Sequence, residues 1–172
     1  MHGKTIPLYV CMGSNTDDAE EYLDAAEAHL EKAGLHAAVR SRTYLTEPQD
    51  DKDQNWFRNR VVRFDIPGCR DIPAAAHALL TTLKNTENSL GRKRDPTRRY
   101  GPRTIDLDIL LLGNTVLNDP DLVIPHPRMA RRAFALIPLL EIDPACRMPD
   151  GTPCSELLSQ IKYVLDNTKI FQ

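Results

Sequence analysis

Arg103-Thr104-Ile105-Asp106-Leu107-Asp108-Ile109-Leu110-Leu111-Leu112 decides the fold and points to the chemistry. Its last four residues are an unbroken apolar run, the pattern of a strand buried near the centre of a sheet. The strand is expected over Thr104 to Leu112. Asp106 and Asp108 are one residue apart, so β geometry sends both carboxylates to one face, whereas a helix would turn them nearly opposite ways. Their Cα atoms would then lie about 6.5–7 Å apart, a spacing at which two carboxylates can share a pair of Mg²⁺ ions. An isolated D-x-D pair more often marks the solvated side of an ordinary strand. Here the apolar flank carries the strand into the core, where unpaired carboxylates are costly unless cations neutralise them.

Those cations stand beside the acids. Arg92, Lys93, Arg94, Arg98, Arg99 and Arg103 fall within one loop and its exit. Arginine stays charged and matches phosphate oxygens in a two-pronged fashion, so the loop suits a polyphosphate held by metal on its other side. A solvated basic loop touching RNA is the competing reading for Lys93, Arg98 and Arg99, and fits Arg103 poorly because it shares the strand with the acids. No G-x-x-x-x-G-K-[ST] sequence occurs, so metal and arginines must do the work of a P-loop. Gly13-Ser14-Asn15 offers backbone amides to an anion, and a plain turn with a helix cap explains it equally well.

Working outward, residues 6–12 are apolar and β-rich and end at Gly13, and a helix is expected over about residues 17–33, with Asp17 and Asp18 at its start and Gly34 as its stop. Leu35 to Tyr44 reads as a second strand and Asn55 to Ile66 as a third, with an acidic loop, Glu47 to Gln54, between them. Asp71-Ile72-Pro73 starts a second helix that ends at Leu90-Gly91. The basic loop from Arg92 to Gly101 follows, and then the acid-bearing strand. This β-α-β-β-α-β order is that of an α+β, ferredoxin-like sandwich, an antiparallel sheet with helices on one face. Short segments around Val116 and Val123 and C-terminal helical additions near 128–141 and 154–166 complete a single domain over residues 1–172.

A chain of 172 residues can bury about two-thirds of its unfolded surface and needs no disulfide or metal to fold. Its net charge of −2 argues against a protein that coats nucleic acid. No apolar run approaches the roughly 20 residues of a membrane helix, and the first residues carry no signal-peptide pattern. A cytoplasmic protein with neither membrane nor nucleic-acid partner is expected. Cys11, Cys69, Cys146 and Cys154 form no C-x-x-C pair and read as free thiols, with Cys11 packing as a small hydrophobe.

Gly91-Arg92 together with Arg99-Tyr-Gly-Pro-Arg-Thr-Ile-Asp-Leu-Asp-Ile-Leu-Leu-Leu-Gly-Asn114 and Pro125-His-Pro-Arg-Met129 closely resembles the 6-hydroxymethyl-7,8-dihydropterin pyrophosphokinase family. Gly13-Ser-Asn15, Thr46-Glu-Pro48 and Phe57-Arg-Asn59 match it in the same order. The resemblance implies a cytosolic folate-pathway enzyme of ferredoxin-like fold that moves pyrophosphate from MgATP to the pterin hydroxymethyl group and releases AMP. By position it implies Asp106 and Asp108 as ligands of two Mg²⁺ ions, and Arg92 and Arg103 as catalytic arginines on the transferring phosphates. Glu87, Arg94, His126 and Arg132 would serve the ATP side, with Glu87 supporting the site. The pterin would lie between Phe57 and Phe134, read by the Asn59 amide and the backbone near Thr46, with Tyr100 on a catalytic loop. Stacking suits a flat heterocycle, and an amide offers both hydrogen-bond senses. Its partners would be these two small molecules, bound by a monomer, under loops 47–54 and 92–101 that close to exclude water.

Two other classes fit parts of the pattern. A nucleotidyl transferase or nuclease with paired acids on a similar fold would yield pyrophosphate or cleaved nucleic acid. A noncatalytic RNA-binding module would show aromatics on adjacent strands, and Asp106 and Asp108 would repel its ligand.

Overall fold

The computed structural model describes residues 5–49, 52–92 and 103–172. Arg94, Arg98, Arg99 and Tyr100, with the middle of the basic loop and Asp50-Asp51 of the acidic loop, lie outside the described residues. Thr5–Ser14 forms β1, Ala19–Lys32 α1, Ala37–Arg40 β2, Tyr44–Thr46 β3, Phe57–Pro67 β4, Ile72–Ser89 α2 and Asp106–Leu112 β5. Leu117–Asp119 (β6) and Leu122–Ile124 (β7) make a small second sheet. A 3-10 turn, Met129–Arg131, then leads to α3 (Ala133–Ile142), α4 (Cys154–Ser159), β8 (Val164–Asp166) and β9 (Lys169–Phe171).

The main sheet runs β5-β1-β4-β3-β9-β8, with β2 also paired to β4. β1 is antiparallel to both of its neighbours, which sets Gly13 opposite Asn59 on one side and opposite Asp106 on the other. The alternation of side chains then sorts the core. Leu8, Val10, Val62 and Phe64 point to one face, where Leu23 and Leu30 of α1 and Leu79 and Leu83 of α2 cover them. Tyr9, Cys11, Val61 and Leu110 point to the other face, under Leu136 and Leu139 of α3 and Cys154 of α4. Helices therefore cover both faces, not one. The added α3 and α4 sit opposite α1 and α2 because the central strands are apolar on both sides and each side needs a cover.

Local signals explain the ends of the helices. Asp71 Oδ1 accepts the Ala74 N–H at 2.9 Å, capping α2 as its sequence indicates. Gly34, at φ +89°, takes the left-handed conformation that closes α1, and its N–H donates to the Glu31 carbonyl at 2.9 Å.

Four further expectations are corrected. The strand expected over Leu35 to Tyr44 is two strands, β2 and β3. Ser41 interrupts it: the Ser41 hydroxyl accepts the Val61 N–H at 3.0 Å in place of a backbone carbonyl. The helix expected over 128–141 begins only at Ala133, because Arg132 is extended at φ −119°, ψ 100°. The helix expected over 154–166 stops at Ser159, and the chain turns into the β8–β9 hairpin through Asn167 at φ 54°. The acid-bearing strand starts at Asp106, two residues later than read. All four cysteines are free thiols, and Cys11 packs in the core facing α3.

Candidate active site

β5 carries Leu107 and Ile109 into the core beside α1 and α2, so Asp106 and Asp108 come out on the opposite face. Asp106 is held by two guanidinium groups. Arg103 Nη1 bonds its Oδ2, and Arg92 Nη1 lies 2.9 Å from its Oδ1. Arg92 also pairs with Glu87 of α2, and Glu87 Oε1 accepts the Leu107 N–H at 2.8 Å. Burial alone would lower the Arg92 guanidinium, but Asp106 and then Glu87 outweigh it and hold it above its ordinary range. Burial raises Glu87 more than Arg92 lowers it, so that carboxylate is the strained member of the pair.

Asp108 lies more loosely against its neighbours, with Arg132 Nη1 at 3.6 Å and His126 Nε2 at 3.7 Å from its Oδ2. Its side chain opens to a cavity, yet protein crowds it on every other side. That burial, with the Asp106 charge added, pushes it up to about 7. Burial and then the Arg132 guanidinium push His126 down to about 4, so its ring is neutral at physiological pH. The Arg128 N–H donates to His126 Nδ1 at 3.1 Å, which leaves the ring proton on Nε2, the nitrogen nearer Asp108. His126 is thus a neutral donor for an anionic ligand.

A cavity of 420 Å³ joins these groups to Thr46, Phe57, Asn59 and Phe134. Asn59 is buried, and its Nδ2 donates to Thr46 Oγ1 at 2.6 Å, which fixes the amide. A Cβ on Gly13 would come within 2.4 Å of Asn59 Oδ1, so the amide occupies space that only glycine leaves open. The Arg132 guanidinium stacks over the Phe134 ring, 5.3 Å from its centroid. The cavity thus has a charged end and a half-apolar end with a fixed amide. Every described residue read as a site candidate lines it: Thr46, Phe57, Asn59, Glu87, Arg92, Arg103, Asp106, Asp108, His126, Arg132 and Phe134.

No group of three or more His, Cys, Asp or Glu that could hold a metal occurs among the described residues. The carboxylates that could meet a cation here are those of Asp106 and Asp108. Hard oxygen donors in that number suit Mg²⁺, which commonly takes one or two carboxylates and completes its shell with phosphate oxygens and water.

The family model of 7,8-dihydro-6-hydroxymethylpterin-pyrophosphokinase matches residues 9–144. This chain belongs to that pyrophosphokinase family. A Pseudomonas aeruginosa relative, 2-amino-4-hydroxy-6-hydroxymethyldihydropteridine pyrophosphokinase, is 39% identical over 157 residues, 91% of this chain and 92% of its own. Proteins of the same name from Bacillus subtilis and Methylorubrum extorquens are 41% and 39% identical, over 78% and 79% of this chain and 76% and 82% of theirs. A crystal structure of an HPPK-DHPS in complex with substrates shares the fold at a TM-score of 0.65 and 14% identity, covering 91% of this chain and 43% of that one.

In this pyrophosphokinase-family chain, one buried residue ties the site together beyond its sequence reading as a turn or cap. Asn15 Oδ1 accepts the Arg103 N–H at 2.8 Å, while its Nδ2 donates to Gln54 Oε1 at 2.9 Å and to the Asn55 carbonyl at 3.3 Å. It links the arginine beside Asp106 to the loop before Phe57. Its partners are 39 or more residues away, so no local pattern reveals the role.

Proposed function

We infer that this protein transfers pyrophosphate from ATP to 6-hydroxymethyl-7,8-dihydropterin in folate biosynthesis, releasing AMP and the pterin diphosphate. The observation that carries the reading is one cavity lined by paired acids and arginines and also by a fixed amide and two phenylalanines, Asn59, Phe57 and Phe134. The sheet order β5-β1-β4-β2/β3, antiparallel throughout, supports a ferredoxin-like core with α1 and α2 as its helices.

In this reading Asp106 and Asp108 hold two Mg²⁺ ions, which when bound neutralise and polarise the triphosphate. Arg92 and Arg103 lie along Asp106 and offset charge on the oxygens between the leaving AMP and the transferred group. His126 donates Nε2–H to a phosphate oxygen, and Arg132 adds a guanidinium from α3. Phe57 and Phe134 stack the pterin while Asn59, held by Thr46, reads its edge. The pterin hydroxymethyl oxygen attacks the β-phosphorus in line, the bond from that phosphorus to the AMP oxygen breaks, and the hydroxyl proton is lost to solvent. The protein's contribution is orientation and charge placement, the main terms in phosphoryl transfer.

The deciding experiment is incubation with MgATP and the hydroxymethyl dihydropterin, with AMP expected as product. Inorganic pyrophosphate in place of AMP would instead favour a nucleotidyl transferase. Gly13→Ala tests the pterin end alone: it should displace the Asn59 amide and raise the pterin KM at least about tenfold, leaving the ATP KM within about twofold. An unchanged pterin KM would remove Asn59 from the reading.

A further inference from the structure

Gln172, which has no part in the reaction just described, holds the backbone on both sides of Arg132. Its Oε1 accepts the Ala133 N–H at 2.8 Å, and its Nε2 donates to the Arg131 carbonyl at 2.6 Å. Its own N–H donates to Glu47 Oε2 at 3.3 Å. One residue therefore touches two walls of the cavity: the turn into α3 that bears Arg132 and Phe134, and the segment leaving β3 that bears Thr46 and Glu47.

The strand leading into Gln172 is laid along the same walls. β9 runs parallel to β3 with Ile170 opposite Thr46, and the Leu45 N–H donates to the Thr168 carbonyl at 2.8 Å. Ile170 is buried with Tyr44, Ala133 and Ile137. Phe171 meets Trp56 edge to face, with ring centroids 5.2 Å apart, one residue before Phe57.

The first N–H groups of a helix have no partner inside it, and Arg132, the residue preceding α3, makes no side-chain cap of its own. The Gln172 amide supplies the missing acceptor from outside the helix and uses its donor on the adjacent carbonyl. We propose that Gln172 is a positioning residue that clamps Arg132 and Phe134 against the Thr46–Phe57 wall and so sets the width of the cavity at its apolar end. The functional part of this proposal rests on the pterin reading above.

Gln172→Met keeps the side chain's length and removes both side-chain bonds, while Gln172→Glu keeps the acceptor for Ala133. Gln172→Met should speed amide exchange in the 131–137 segment about tenfold and raise the pterin KM about tenfold, with kcat within about threefold. Gln172→Glu should restore part of both. A merely structural role would lower the melting temperature without moving the pterin KM. Unchanged exchange in Gln172→Met overturns the clamp. Faster exchange with a pterin KM within about twofold of wild type overturns the positioning role. If the wild-type protein released no AMP, the pyrophosphoryl reading would fail by itself. Exchange, and pterin titration through the single tryptophan, Trp56, would still decide the clamp.

Discussion

Replacing Asp108 with alanine is expected to lower AMP release by at least about a thousandfold, and Asp106→Ala by a similar factor, with both proteins still folded. The expectation follows from what each carboxylate lacks. Among the described residues Asp108 has one guanidinium at 3.6 Å and a neutral imidazole at 3.7 Å, and its pKa is pushed up to about 7, so these groups leave its charge poorly satisfied. A metal would complete that environment, which makes the charge functional instead of a stabiliser of the fold. Asp108→Asn, which keeps the shape, should be equally inactive yet melt at or above the wild-type temperature without metal. A folded Asp108→Asn protein with wild-type turnover would take this carboxylate out of the reaction.

The same displaced acidity gives the pH dependence a definite sign. Between its ordinary 3.8 and its folded value near 7, Asp108 keeps in the native protein a proton that the unfolded chain has released. Its contribution to metal-free stability therefore falls as pH rises through that window and is least favourable above it. Mg²⁺ competes with the proton, so added Mg²⁺ should raise the melting temperature more at about pH 8 than at about pH 5.5. Asp108→Asn should flatten both trends. Equal Mg²⁺ shifts at the two pH values would show that the ion does not bind through Asp108.

Arg92→Ala should cut kcat at least about a hundredfold and also destabilise the protein by about 3 kcal/mol, measured by urea unfolding. The two losses have separate origins. Arg92 is largely buried and shared between Glu87 and Asp106, so its removal strands the Glu87 carboxylate and takes one of two guanidinium groups from Asp106. Glu87→Gln added to Arg92→Ala removes the stranded charge and should recover much of the stability while turnover stays low. Recovery of both together would mean that Arg92 acts only through the fold.

The alternation of β5 made the acids, their shared face and the buried flank legible from sequence, because a strand's side-chain period is two and its apolar end is unbroken. The pairing of Asp106 with Arg92 and Arg103 was legible as proximity along the chain, though the link through Glu87 depends on where α2 passes β5. The β8–β9 hairpin was not legible. Leu157, Leu158, Ile161 and Leu165 fall at helical spacing, and the turn rests on one asparagine in the left-handed region. The break between β2 and β3 was hidden for a related reason, since Ser41 interrupts the strand by bonding Val61, twenty residues away. The bonds of Gln172 and Asn15 were not legible because their partners are 39 or more residues away along the chain.

β5 ends the sheet, a position that ordinarily leaves backbone groups ready to pair with another chain. Two of those groups are already taken: Glu87 accepts the Leu107 N–H, and the His126 N–H donates to the Leu110 carbonyl at 2.9 Å. Residues gathered around the charged end of the cavity therefore also cover part of this edge. A substitution at Glu87 or His126 would thus touch the cavity and this edge of the sheet together.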